Sequence, residues 1–135
     1  MTYYKFFIGF VSKPVGKKKI YEDNVFVLDI ETTSCIKVNN KILTSDEYEY
    51  LNEKDKKTCQ KFSFMYIWMI SINDEVYYGR TYEEMKEFLY MINIYSPYKK
   101  IFFVHNLAYE FQFLKSQFEF TKVFARSPHK PIKCE

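Results

Sequence analysis

VFVLDIETTS, residues 25–34, decides the architecture of this chain. Residues 25–30 form an apolar, β-prone run interrupted only by Asp29, the pattern of a strand covered on both faces. Strand side chains alternate, so Asp29 and Glu31, at i and i+2, point to the same face. Two ionised carboxylates held together repel each other unless a cation lies between them, and hard oxygen donors suit Mg²⁺ or Mn²⁺. The competing reading is structural, with Glu31 solvated just past the strand and Asp29 capping a turn.

A second apolar run, IFFV at 101–104, ends on His105 and Asn106 and leads into Leu107, Ala108, Tyr109 and Glu110. Tyr109, Phe113, Leu114 and Gln117 then recur at helical spacing, which predicts a helix over 108–118 with a third carboxylate in its first turn. The carboxyl ends of strands are where sites form in open α/β sheets. If IFFV pairs beside VFVLDI, Glu110 meets Asp29 and Glu31. Glu110 also has a structural reading as an acid at a helix N-terminus, and His105 as a hydrogen-bonded loop residue.

The remaining elements follow from punctuation and period. Residues 62–72 and 75–80 predict a hairpin closed by Asn73 and Asp74. Thr81 with Glu84 makes a capping box for a helix carrying Met85, Phe88, Leu89 and Ile92, ended by Ser96 and Pro97. Residues 3–11 predict an N-terminal strand closed by Pro14 and Gly16, and 123–126 one more strand. Within 1–24 this strand is followed by a basic loop, Lys13 and Lys17 to Lys19. The polar stretch 35–61 predicts an insertion, with Ser45 opening a short helix through Tyr48 and Leu51. The fold class is α/β with a mixed sheet: three antiparallel strands, then a crossover helix delivering a strand parallel to the first.

Composition sets the outer limits. A length of 135 residues is one domain, and 47% hydrophobic with 27% charged residues argues for a folded chain. Fourteen Phe, 13 Tyr and one Trp have two readings, an aromatic-rich core alone, as an AT-biased genome would code, or a core with rings left over to stack on the bases of single-stranded nucleic acid. A net charge of +3 does not make the whole surface a polyanion binder, although the basic loop and the tail with Lys122, Arg126, Lys130 and Lys133 can meet phosphate. Three cysteines without CxxC spacing indicate neither a disulfide framework nor a zinc knuckle, hence a reducing compartment. The apolar run 62–72 is too short for a bilayer span and the N-terminus lacks a signal-peptide pattern, so a soluble cytoplasmic protein without membrane association is expected.

VFVLDIETTS resembles the first motif, D-x-E-T, of the DnaQ-like 3'-5' exonuclease superfamily, and FFVHNLAYEFQFL resembles its second, N-x3-[F/Y]-D. In combination they are most similar to the exonuclease domain of protein-primed family B DNA polymerases from phages and linear plasmids. FARSPHKPIK is similar to the connector that follows the second motif there. The resemblance covers roughly residues 25–135, leaving residues 3–19 and the 35–61 insertion unexplained, and implies an RNase H-like fold. It also implies two-metal phosphodiester hydrolysis with Mg²⁺ or Mn²⁺, acting on the 3' end of single-stranded DNA as proofreading for a DNA polymerase. Asp29, Glu31 and Glu110 then match metal ligands and catalytic carboxylates. Thr32, Asn106 and Tyr109 match the positions that contact the 3' end, with His105 beside them and Phe113 a turn later as further substrate-binding candidates.

Two departures qualify these implications. Glu110 stands where the family has Asp. The third motif, Y-x3-D, is missing, since the last Asp is Asp74 and the last Tyr is Tyr109. His129 to Glu135 gives H-x5-E, which differs from the H-x4-D of another branch, and His129 reads as a connector residue. The expectation is therefore the front part of such a domain, truncated before its final helices and inactive alone, in a host-cell cytoplasm if phage-encoded. Its further partners would be the rest of a polymerase chain or a terminal protein. Two alternatives stand beside it: a non-catalytic module of the same fold binding nucleic acid or protein, and an oligoribonucleotide-type exonuclease whose last ligand comes from another subunit.

Overall fold

The computed structural model describes residues 1–15 and 20–135, so Lys17, Lys18 and Lys19 of the expected basic loop lie outside the described residues. In chain order the elements are β1 (Thr2–Tyr3), a 3-10 turn (Tyr4–Phe6), β2 (Pro14–Val15), β3 (Tyr21–Glu22), β4 (Phe26–Val38), β5 (Lys41–Leu43), α1 (Ser45–Glu49), α2 (Glu53–Thr58), β6 (Gln60–Ile72), β7 (Glu75–Gly79), α3 (Tyr82–Tyr95), β8 (Phe102–Val104), α4 (Leu107–Leu114), β9 (Val123–Ala125) and β10 (Pro131–Cys134). The expected mixed α/β arrangement is present: β4, β6 and β7 are antiparallel neighbours, and β8 returns after α3 parallel to β4. β6 occupies one edge of β4 along nearly its whole length. β8 and β5 therefore share the other edge, β8 at residues 26–28 and β5 at 36–38.

The core lies on one face of this sheet. Phe26, Ile30, Trp68, Ile70, Ile72 and Tyr77 meet Met85, Phe88 and Ile92 of α3, and all are buried. Trp68 and Phe88 stack with centroids 5.6 Å apart, and the indole N–H donates to the Thr81 carbonyl at 2.8 Å. This closes the buried polar group that a core tryptophan brings. The capping box forms as the spacing requires, the Glu84 N–H donating to the Thr81 hydroxyl while the Glu84 carboxylate accepts from the Thr81 N–H. The Glu84 carboxylate also accepts from the Arg80 N–H at 2.6 Å and the Tyr3 hydroxyl at 2.7 Å, and these bonds hold it below the usual carboxylate range. The two-residue turn places Asn73 at φ 55°, the left-handed conformation that a tight hairpin of this kind favours.

Four expectations need correction. Residues 3–11 do not form a strand: β1 pairs with β7 for two residues, and the chain then turns so that Tyr4 and Phe7 plug the core at 1% and 6% exposure. Burying two rings on one side outweighs the period-2 pattern that the run offers. Residues 35–61 are not wholly an insertion, because β4 runs on to Val38 and β6 begins at Gln60, making a long two-stranded arm. Asn39 and Asn40, at φ 50° and 63°, turn it into β5. The strand at 25–30 is not covered on both faces, since Val25 and Val27 remain 50% and 37% exposed and α3 packs only on the other side. The last helix stops at Leu114, not at 118, after which Phe118 and Phe120 fold back against the core. The expected strand near 123–126 is present as β9, paired with β10 in a separate ribbon.

Candidate metal and nucleic-acid site

Asp29 and Glu31 project from β4 beside the carboxyl end of β8, which delivers Asn106 and α4 to the same edge. Asn106 caps α4: its side chain accepts from the Tyr109 N–H at 3.3 Å and its carbonyl from the Glu110 N–H at 3.0 Å. Glu110, in the first turn, is thereby turned inward and is 3% exposed. Burial, the neighbouring Asp29 charge, a hydrogen bond with the Asp29 carboxyl and the Glu31 charge together push its pKa up to about 8. A helix N-terminus favours an ionised acid by only about 0.3–1 kcal/mol, so desolvation and repulsion prevail. At neutral pH Glu110 therefore holds a proton. One of its oxygens, Oε2, is buried with no hydrogen-bond partner.

Of the expected carboxylates, Asp29 and Glu110 are neighbours, while Glu31 lies farther out and exposed. Among the described residues no group of three or more His, Cys, Asp or Glu side chains is gathered tightly enough to hold an ion as it stands. Glu31 would have to swing inward to join the other two. A β-bulge aids this geometry: Glu31 pairs with Ile67 and Thr32 with Met65, leaving Tyr66 as the extra residue on β6. Bulges of this kind re-aim side chains and recur beside active sites.

Of the expected substrate positions, Thr32 and Tyr109 are tied to each other through a hydroxyl–hydroxyl hydrogen bond, which fastens α4 to the middle of β4. Spacing in the sequence carries no signal for that pairing. The Tyr109 ring is 46% exposed and leans on Phe113 at 5.2 Å, whose other side packs on the core. Asn106 spends its side-chain oxygen on the cap, the structural role open to it, and His105 is exposed on the neighbouring rim. His129 lies far along the chain in the exposed turn between β9 and β10. Cys35, Cys59 and Cys134 are free thiols, and no helix among the described residues is long and apolar enough to cross a membrane.

A second buried carboxylate escaped the sequence reading. Glu22 is 6% exposed and accepts from the Ser96 and Ser12 hydroxyls, the Lys13 N–H and the Asn24 amide. Burial opposes its charge, but these donors prevail and hold its pKa below the usual range. Its bonds are satisfied within the fold, so it latches the N-terminal segment to the end of α3. Glu110, by contrast, has repulsion and an orphaned oxygen. No family model, curated protein or solved structure matches the chain.

Proposed function

We propose that this chain carries the divalent-metal and 3'-end binding part of a 3'-5' exonuclease site on an RNase H-like sheet, of the kind that proofreads for a DNA polymerase. The observation that carries the reading is the buried Glu110 carboxyl beside Asp29, with an unpartnered Oε2 and with Glu31 adding to the repulsion. Such an arrangement costs stability in the absence of a cation, and a fold retains it most readily where a cation is to be bound. The strand order β7-β6-β4-β8, with the first three antiparallel and the last parallel, supports the RNase H-like reading.

Asp29 and Glu110 would hold Mg²⁺ or Mn²⁺ through their oxygens, with Glu31 completing the set after a side-chain rotation. Bound ions would supply a water of lowered pKa and neutralise charge on the scissile phosphate. The chain's own tasks are otherwise those of binding. Thr32 and Tyr109 hold the strand end against α4, Tyr109 offers a ring for the terminal base, Phe113 backs that ring, and His105 and Asn106 border the rim. No Tyr-x3-Asp pair follows Glu110, so the group that would orient the attacking water in the family has no counterpart in these residues. Hydrolysis by these 135 residues alone should therefore be slow.

The test is fluorescence anisotropy with a 5'-labelled oligothymidylate, with and without Mn²⁺. Binding should tighten when Mn²⁺ is added, and the increment should vanish in Asp29→Ala. An increment that survives Asp29→Ala, or no binding at all, overturns the proposal. A module that binds single strands without metal, the other reading, would give binding indifferent to Mn²⁺.

A further inference from the structure

The two-stranded arm of β4 and β6 continues past the carboxylates and carries a stripe that the proposed site does not use. On the face that bears Glu31, alternation brings up Thr33, Cys35 and Lys37, and across from them lie Phe64, Phe62 and Gln60. The Phe62 and Phe64 rings are 6.2 Å apart and inclined by only 32°. They remain 37% and 40% exposed, opposite small partners that cannot cover them. From Asp29 to Lys37 the stripe is roughly 27 Å long at about 3.4 Å per residue.

We infer that this stripe is the path of the single strand leaving the site, with Phe64 and Phe62 as successive base-stacking platforms and Lys37 as a phosphate contact. The inference rests on the proposed function, since the path starts at Glu31. Three features favour nucleic acid over a protein occupant. The stripe is continuous with the carboxylate set. Past Glu31 it contains no acid, the acidic residues of this region, Asp46, Glu47, Glu49, Glu53 and Asp55, being placed on α1 and α2. It also carries two rings, two residues apart on one strand, and ends on a cation, the combination of π-faces and positive charge that holds single strands without reading their sequence.

The experiment measures oligothymidylate affinity by anisotropy and Mn²⁺ affinity by calorimetry for wild type, Phe62→Ala, Phe64→Ala, their double variant and Phe64→Trp. Stacking on each ring predicts a loss of roughly five- to hundredfold in oligonucleotide affinity per alanine substitution. Phe64→Trp should retain affinity, and Mn²⁺ binding should be unchanged throughout. Lys37→Ala should lower the slope of log affinity against log salt by about one. Wild-type affinity in the double variant overturns the stripe while leaving the carboxylate site standing, and is the result expected if the rings face a protein partner. Wild type that binds Mn²⁺ but no oligonucleotide overturns both the stripe and the nuclease reading.

Discussion

Replacing Glu110 by Gln should stabilise the protein, and increasingly so as pH rises. The folded-state carboxyl is held protonated to about pH 8, against 4.5 for the ordinary group, because burial and the Asp29 and Glu31 charges oppose its ionisation. Folding therefore takes up a proton between those two values. Stability from the neutral group is fully present below pH 4.5 and is lost as pH rises through about 8. A difference of 3.5 (8 − 4.5) at about 1.36 kcal/mol per unit sets a ceiling of about 5 kcal/mol. Between pH 5 and pH 9 the loss amounts to about 4 kcal/mol. Gln keeps the shape and a donor toward Asp29 but cannot ionise, so it escapes this loss. Urea unfolding in the presence of a chelator, followed by emission of the single, fully buried Trp68, measures the difference between wild type and variant at each pH. The difference should be near zero at pH 4 and grow steadily to pH 9. A difference that does not change with pH would refute the placement of Glu110 against Asp29.

Tyr109→Phe should cost about 0.5–1.5 kcal/mol in unfolding free energy by removing the hydroxyl bond to Thr32, read from the same urea curves. Tyr109→Ala should in addition weaken oligothymidylate binding by about 1–3 kcal/mol, measured by anisotropy. Gly79→Ala should lower stability by about 1–3 kcal/mol, because a Cβ there would collide with the Trp68 ring against α3, and a fall in the urea midpoint at unchanged slope checks it. With labelled single-stranded DNA and Mn²⁺, gel analysis should find degradation by the 135-residue chain near background. Robust cutting abolished by Asp29→Ala would mean that some other group orients the water.

The fold was legible where one local rule acted without competition. Thr81 and Glu84 fixed the start of α3, Asn73 and Asp74 the hairpin, and two runs poor in charge the β4–β8 pair. It was misread where a long-range contact prevailed. The 3–11 run looked like a strand because nothing in it says that Tyr4 and Phe7 will find a pocket against Phe88. The arm of β4 beyond Ser34 was hidden by its polarity, since residues 35–37 are all half-buried and alternation loses its contrast. In the candidate site, the approach of Glu110 to Asp29 was readable from a helix following a strand, whereas Glu31, expected beside them from strand parity, stays farther out and exposed. The proton held by Glu110 was not, because desolvation depends on how α4 seats on the sheet. Nor was the Thr32–Tyr109 bond, which joins residues 77 positions apart.

Isothermal titration of Mn²⁺ at pH 7, run in two buffers of different ionisation enthalpy, tests the central claim most directly. A carboxyl group with its pKa near 8 is mostly protonated at pH 7, so an ion binding between Asp29 and Glu110 must expel close to one proton. The account predicts that release in wild type, with affinity rising as pH increases toward 8, and loss of binding in Asp29→Ala and Glu110→Gln. Binding of equal strength in wild type and the Asp29→Ala, Glu31→Ala double variant, with no proton released, would contradict it.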